Sequence, residues 1–233
     1  VVLMGASGSG KSTFARRHFL PTEILSSDMF RGLVSDDENN QAATNDAFAV
    51  LRDVAAKRLA RGKLVVVDAT NVQKEARAPL LQLARDRYCQ TVAIVLNMPE
   101  RICIERNRER PDRCFGDHVV RNHARSLRSS LHGLEREGFR HVYVLNSPEQ
   151  LESAVIERTR LWNDRRDDHG PFDIIGDVHG CYDELVTLLE LLGYAIVRNE
   201  GDIHVQVPEG RKAVFVGDLV DRGPNTPGVL RLI

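Results

Sequence analysis

The chain has 233 residues, 42% hydrophobic and 28% charged, with a formal net charge of −1. Those are the proportions of an ordinary folded protein and exclude a disordered or fibrous chain. Its apolar runs fall short of the ~18 residues that cross a bilayer, and no secretory leader pattern opens it, so a cytoplasmic location with no membrane partner is the expectation.

The near-neutral total conceals a division. Residues 1–170 hold 27 Lys and Arg against 23 Asp and Glu, whereas residues 171–233 hold 5 against 10. A basic part and an acidic part imply two sites with different electrostatic tasks. The four cysteines form no CxxC pair and read as reduced thiols.

The chain opens on VVLM (1–4), an apolar strand, followed by a glycine-rich turn and then KSTFARRHF (11–19), a helix. EILSS (23–27) is a second strand. QAATNDAFAVLRDVAAKRLARG (41–62) has apolar residues at helical spacing and stops at Gly62. KLVVVDAT (63–70) is a third strand, apolar on both faces as parallel strands are. KEARAPLLQLARDRY (74–88) predicts a helix bent or delayed by Pro79. TVAIVLN (91–97) is a fourth strand, and PERICIERNRER (99–110) a helix with Pro99 in its first turn. GDHVVRNHARSLRSSLHGLEREG (116–138) predicts one helix, HVYVLNS (141–147) a fifth strand, and PEQLESAVIERTRLWNDRR (148–166) a long closing helix. Such alternation predicts a parallel sheet covered by helices on both faces.

The polar stretch NDRRDDHGP (163–171) reads as a linker. The expected organisation is one domain over 1–163, a linker over 164–171, and a second domain from 172 to 233. In the second, FDIIGD (172–177) is a strand and CYDELVTLLELLG (181–193) a helix. AIVRN and IHVQV form a hairpin, and KAVFVGD (212–218) is another strand. Val1 already lies inside a strand and Ile233 ends an apolar run, so the chain reads as a fragment of a longer protein.

Gly5-Ala6-Ser7-Gly8-Ser9-Gly10-Lys11-Ser12 satisfies GxxxxGK[ST], with Thr13 beside it, between a strand and a helix. Glycines let the backbone turn several N–H groups inward on phosphate oxygens, and the helix N-terminus adds positive potential. In that reading Lys11 reaches the β- and γ-phosphates of a nucleoside triphosphate and the Ser12 hydroxyl holds Mg²⁺. After the second strand, SDMFR places Asp28 and Arg31 three apart on one helix face. A carboxylate there can take a proton from an attacking hydroxyl. Asp68 ends the third strand, near the metal or near that pair. Arg106 and Arg110 lie four apart before the turn PDR and suit a lid that neutralises transferring phosphate.

GDVHG places Asp177 and His179 at one strand end; GDLVDRG places Asp218 at another, with Arg222 four further on. Carboxylate and imidazole ligands on neighbouring strand ends can hold two transition metals, with Asp218 bridging, that activate water. No asparagine–histidine pair follows Asp218, so this metal site is expected to be incomplete and to have little phosphatase activity.

The order of these motifs resembles the front part of the bacterial polynucleotide kinase-phosphatases, RNA end-healing enzymes. The kinase elements are GASGSGKS, SDMFR, DATN and RNRER; the phosphatase elements are GDVHGCYDE and GDLVDRG. The resemblance implies an α/β fold: a P-loop kinase domain, then the truncated start of a calcineurin-like metallophosphoesterase domain. It implies ATP-dependent phosphorylation of 5′-OH ends of RNA or DNA, with Asp28 as general base, Arg31 as a ligand of the acceptor strand, and Arg106 and Arg110 on the donor phosphates. It further implies a Mn²⁺- or Ni²⁺-type phosphatase clearing 2′,3′-cyclic or 3′-phosphate ends, and a ligase-like module beyond Ile233. Two alternatives stand beside it. One is a small-metabolite P-loop kinase. The other is a Ser/Thr protein phosphatase or dinucleotide-polyphosphate hydrolase with a regulatory P-loop domain.

Overall fold

The computed structural model describes residues 1–109, 116–161, 163–199 and 202–233. These form two compact units, Val1–Glu157 and Arg158–Ile233.

In the first unit, β1 (Val2–Met4), β2 (Ile24–Ser26), β3 (Val66–Asp68), β4 (Val92–Leu96) and β5 (His141–Leu145) form one parallel sheet in the order β2-β3-β1-β4-β5. The register sets Val2 beside both Val67 and Ala93. Helices α1 (Lys11–His18), α2 (Ser27–Ser35), α3 (Thr44–Ala60), α4 (Lys74–Asp86), α5 (Glu100–Arg108), α6 (Asp117–Ser130), α7 (Leu134–Glu137) and α8 (Pro148–Ser153) connect and cover the strands.

Successive strand residues face opposite sides of a sheet, so apolar runs build two cores at once. Val2, Met4, Val67 and Val95 join Leu51 of α3 and Leu80 of α4 on one face. Leu3, Val66, Ile94 and Leu96 join Phe14 of α1 and Cys103 of α5 on the other. Burying each such side chain contributes about 1.5–3 kcal/mol.

Two helix expectations need correction. The run 116–138 is not continuous: a 3₁₀ turn at Leu131–Gly133 separates α6 from α7. Gly133 has no side chain to hold a helix interior. The closing helix ends at Ser153, with Ala154 extended. Beyond it Ala154 and Ile156 pack on the core while Val155 is 86% exposed. That alternation is a strand's period, and β-branched residues favour it over a helix. Pro99 caps α5 from outside, and Pro79 sits within α4.

Arg77 of α4 is wholly buried. Its Nε and Nη2 donate to Glu137 Oε2 and Oε1 at 2.8 and 2.6 Å, and its Nη1 donates to the Asn71 carbonyl at 2.9 Å. One guanidinium thus ties α4 and α7 to the loop that follows β3. Removing one member of a buried pair leaves the other charge uncompensated. Arg77→Ala is therefore expected to lower stability by about 3–5 kcal/mol, read as a fall in the urea midpoint.

The second unit pairs β6 (Phe172–Ile175) with β9 (Lys212–Phe215) in parallel and β7 (Ala195–Asn199) with β8 (Asp202–Gln206) as an antiparallel hairpin. Helices α9 (Tyr182–Leu191) and α10 (Thr226–Leu232) complete it. Ile175, Leu185, Leu189 and Val229 centre its core. Asp173 is buried there; it accepts from Arg211 Nε at 2.9 Å and from the Tyr194 hydroxyl at 2.8 Å. The Arg211 guanidinium holds its carboxyl below the ordinary range. A depressed native pKa stabilises the fold above the unfolded carboxyl's value, and that contribution fades as pH falls through the native value. Asp173→Asn is expected to lower the urea midpoint at pH 7, and the difference from wild type should shrink below pH ~4.

Candidate active sites

The turn from β1 into α1 is shaped by close approach. Gly8 has φ 80°, and a Cβ there would lie 2.2 Å from the Cys103 carbonyl oxygen of α5. Gly10 caps α1 with φ 96°. Gly5 N–H donates to the Thr70 carbonyl at 3.1 Å, which fastens the start of the loop to the end of β3. The first turn of α1 carries no acidic residue, so its positive end is uncancelled. Lys11 is 8% exposed, and its Nζ donates to the Gly5 and Ala6 carbonyls at 2.9 and 2.8 Å and to Ser9 Oγ at 3.4 Å. A phosphate would offer this ammonium a full negative charge where the carbonyls offer only dipoles, so an entering phosphate can draw it out of the loop.

Ser26 caps α2, its Oγ accepting from Met29 N–H, and this starts the helix one residue before Asp28. Arg31 is buried and pairs with Asp28 Oδ1, while its Nε donates to the Glu38 carbonyl at 2.8 Å. The Asp28 side chain is 33% exposed. Ser27 Oγ also donates to its Oδ1, at 3.3 Å. Arg31 therefore orients a carboxylate that stays accessible.

A cavity of about 380 Å³ joins these parts. Lys11, Ser12 and Thr13 line one side, with Ser7, Gly8 and Gly10; Asp28, Arg31 and Asp68 line another. Gly5 and Ser9 are not on its wall; they shape the loop from behind. Arg106 reaches the cavity from α5, and Arg110 lies outside the described residues. Other wall residues were not legible in the motifs. Gln41, Thr44 and Phe48 come from the start of α3 and the turn before it, and their helical spacing is the signal that could have found them. Asn71, with φ 48°, donates from Nδ2 to the Leu3 carbonyl at 2.8 Å and braces β3 against β1.

In the second unit, Asp177 and His179 follow β6, and Asp218 follows β9. Asp218 N–H donates to Asp177 Oδ1 at 3.2 Å, and its carbonyl accepts from His179 N–H at 2.9 Å. At Gly217 a Cβ would fall 2.2 Å from Asp177 Oδ1. His179 Nδ1 donates to the Val220 carbonyl at 2.9 Å, and its Nε2 stands 3.5 Å from Asp177 Oδ2. Two donors at that separation fit within reach of one ion bound at about 2.0–2.2 Å to each. Asp218 joins them through its backbone. Among the described residues no group of three or more His, Cys, Asp and Glu side chains converges for a metal. Asp221 and Arg222 both have positive φ, 68° and 63°, which brings Gly223 N–H to the His179 carbonyl at 2.6 Å and leaves Arg222 exposed. Such backbone strain clusters at functional sites.

A family model described as an AAA domain matches residues 1–135. The chain belongs to the AAA domain family. Behind this AAA domain, a calcineurin-like phosphoesterase model matches residues 170–233. The molecule is thus a kinase-like AAA domain followed by a phosphoesterase segment. The asymmetrical bis(5′-nucleosyl)-tetraphosphatases PrpE of Halalkalibacterium halodurans and Bacillus subtilis are 58% and 50% identical to it over 62 residues of the phosphoesterase part. That stretch is 27% of this chain, which spans about a quarter (24%) of the length of those curated relatives. A chain of the Pnkp1/Rnl/Hen1 RNA repair complex has the same fold over 93% of this chain and 69% of its own, at 19% identity and a TM-score of 0.50. Among the described residues no helix is long and apolar enough to cross a membrane.

Gly8→Ala is expected to weaken binding of a fluorescent ATP analogue at least ~10-fold, because the added methyl must displace either the loop or α5 from its place.

Proposed function

We propose that the AAA domain transfers the γ-phosphate of ATP to the 5′-OH end of a polynucleotide, RNA or DNA. The observation that carries this reading is the single cavity shared by the phosphate loop and the Asp28–Arg31 pair. Asp28 accepts the proton of the 5′-OH as its oxygen bonds to the γ-phosphorus. The bond from that phosphorus to the β–γ bridging oxygen breaks, and ADP departs. Lys11, the loop N–H groups and the lid arginines Arg106 and Arg110 stabilise the charge spread over the transferring oxygens. Arg31 orients Asp28 and binds the acceptor strand. Ser12 and Asp68 line the same cavity and present the oxygen donors that Mg²⁺ takes. When bound, that ion neutralises the β- and γ-phosphates.

In this reading residues 1–163 form the kinase domain, 164–171 a linker, and 172–233 the opening of a phosphoesterase domain that clears 2′,3′-cyclic or 3′-phosphate ends. Asp177 Oδ2 and His179 Nε2 would hold Mn²⁺ or Ni²⁺ there, with the Asp218 carboxylate as a further ligand and Arg222 on the phosphate. The metals supply an activated water. A ligase-like module in the full-length protein would seal the healed ends.

The test is transfer of labelled γ-phosphate to a 5′-OH oligonucleotide, beside a panel of sugars and nucleosides. Transfer to the oligonucleotide is expected, and acceptance of small molecules alone would overturn the substrate class. Asp28→Ala should cut kcat by about 10²–10⁴-fold with ATP affinity retained, whereas Lys11→Ala should lose both.

A second reading rests on the 58% identity to a dinucleoside tetraphosphatase. It makes the protein a nucleotide-polyphosphate hydrolase with the AAA domain as a nucleotide switch. Hydrolysis of diadenosine tetraphosphate by the full-length protein, unaffected by Asp28→Ala, would favour it.

A further inference from the structure

The contact between α5 and the phosphate loop has a polar component that joins a residue of each motif. Asn107 is wholly buried on α5, one helical turn beyond Cys103. Its Oδ1 accepts from Ser7 Oγ at 3.1 Å, across 100 residues of sequence. Ser7 itself is 6% exposed and lies on the cavity wall. Cys103 and Asn107 therefore grip two successive loop residues: the Cys103 carbonyl against Gly8, and the Asn107 amide against Ser7. Between them on the helix, Arg106 turns into the cavity. Its Nη1 would lie 3.6 Å from a Cβ on Gly10.

Rigid packing explains why residues 103 and 107 are buried, but not why a polar side chain stands at 107. An amide in a sealed contact costs free energy unless it is bonded, and a leucine would fill a purely apolar contact more favourably. The hydrogen bond is directional where apolar packing is not. It fixes the rotation of the Ser7 segment relative to α5, and so the spacing between the loop and the Arg106 guanidinium. Both Ser7 and Arg106 line the cavity.

We infer that Asn107 is a positioning residue for nucleotide binding: through Ser7 it sets the loop at the separation from Arg106 that a triphosphate requires. This rests on the phosphate-loop reading above. In this role Asn107 touches no phosphate and acts through Ser7 and the helix it sits on.

The test is equilibrium titration of the full chain with a non-hydrolysable ATP analogue and Mg²⁺, beside steady-state kinetics with a 5′-OH oligonucleotide. Asn107→Ala and Ser7→Ala should each raise the analogue Kd and the KM for ATP about tenfold, with the oligonucleotide KM within twofold of wild type. Because the two act as one pair, the double variant should be no worse than either single one. A merely structural role would lower the melting temperature and the active fraction without moving the analogue Kd. Wild-type Kd in Asn107→Ala, or fully additive losses in the double variant, would overturn the inference. Should Asn107→Ala fail to fold, an unchanged Kd in Ser7→Ala overturns it equally. Lys11→Ala, titrated in parallel, separates the two levels. If it too binds the analogue normally, the phosphate-loop reading fails. If it alone loses binding, only the Asn107 role does.

Discussion

The position of β3 between β1 and β2 is the constraint on which the first unit depends. Val66–Asp68 bonds to β1 on one side and to β2 on the other. β1 delivers the phosphate loop, and β2 delivers Asp28 and Arg31. Neither strand touches the other in the sheet order, so the width of one strand separates them. That gap is the cavity floor, and Asp68 stands at its end. Two bonds keep it from opening: Gly5 N–H to the Thr70 carbonyl, and Asn71 Nδ2 to the Leu3 carbonyl. Arg77 then holds the Asn71 carbonyl from beneath.

This arrangement places opposite chemical demands on the walls of one cavity. The loop side is cationic and rich in N–H donors, suited to phosphate. The α2 side offers a carboxylate steadied by a buried guanidinium. In the proposed reaction a phosphate donor would lie at the first and a hydroxyl acceptor at the second, so the fold would supply proximity and orientation before any bond changes. The second unit uses strand ends in the same manner. There β6 and β9 run parallel, and their C-terminal turns cross-bond so that Asp177, His179 and the Asp218 backbone meet.

Parallel strands buried on both faces announce themselves as unbroken apolar runs, and β1, β3 and β4 were legible for that reason, while the less buried β2 and β5 were read from short apolar runs at the sheet's edges. So were both glycine-bearing motifs, because their spacing is dictated by backbone geometry local to a few residues. The break at Leu131–Gly133 and the extended course after Ser153 were not. Helical composition continues through both stretches, and only the packing of Ala154 and Ile156 against a core assembled from distant strands selects the extended form.

The sequence by itself determined the strands, their order, the phosphate loop, the Asp28–Arg31 spacing and the paired Asp–His motif. Each of these is set by neighbours within one turn or one strand. Tertiary structure alone decided which strand lies between which, and so brought Lys11, Asp28 and Asp68 to one cavity. It also decided the partners of Arg77 and Asn107, which lie 60 and 100 residues away in sequence. An arginine or asparagine in a helix has no local signature that separates a solvated side chain from a buried one. The difference appears only when the opposing surface arrives and the desolvated group must find its bond.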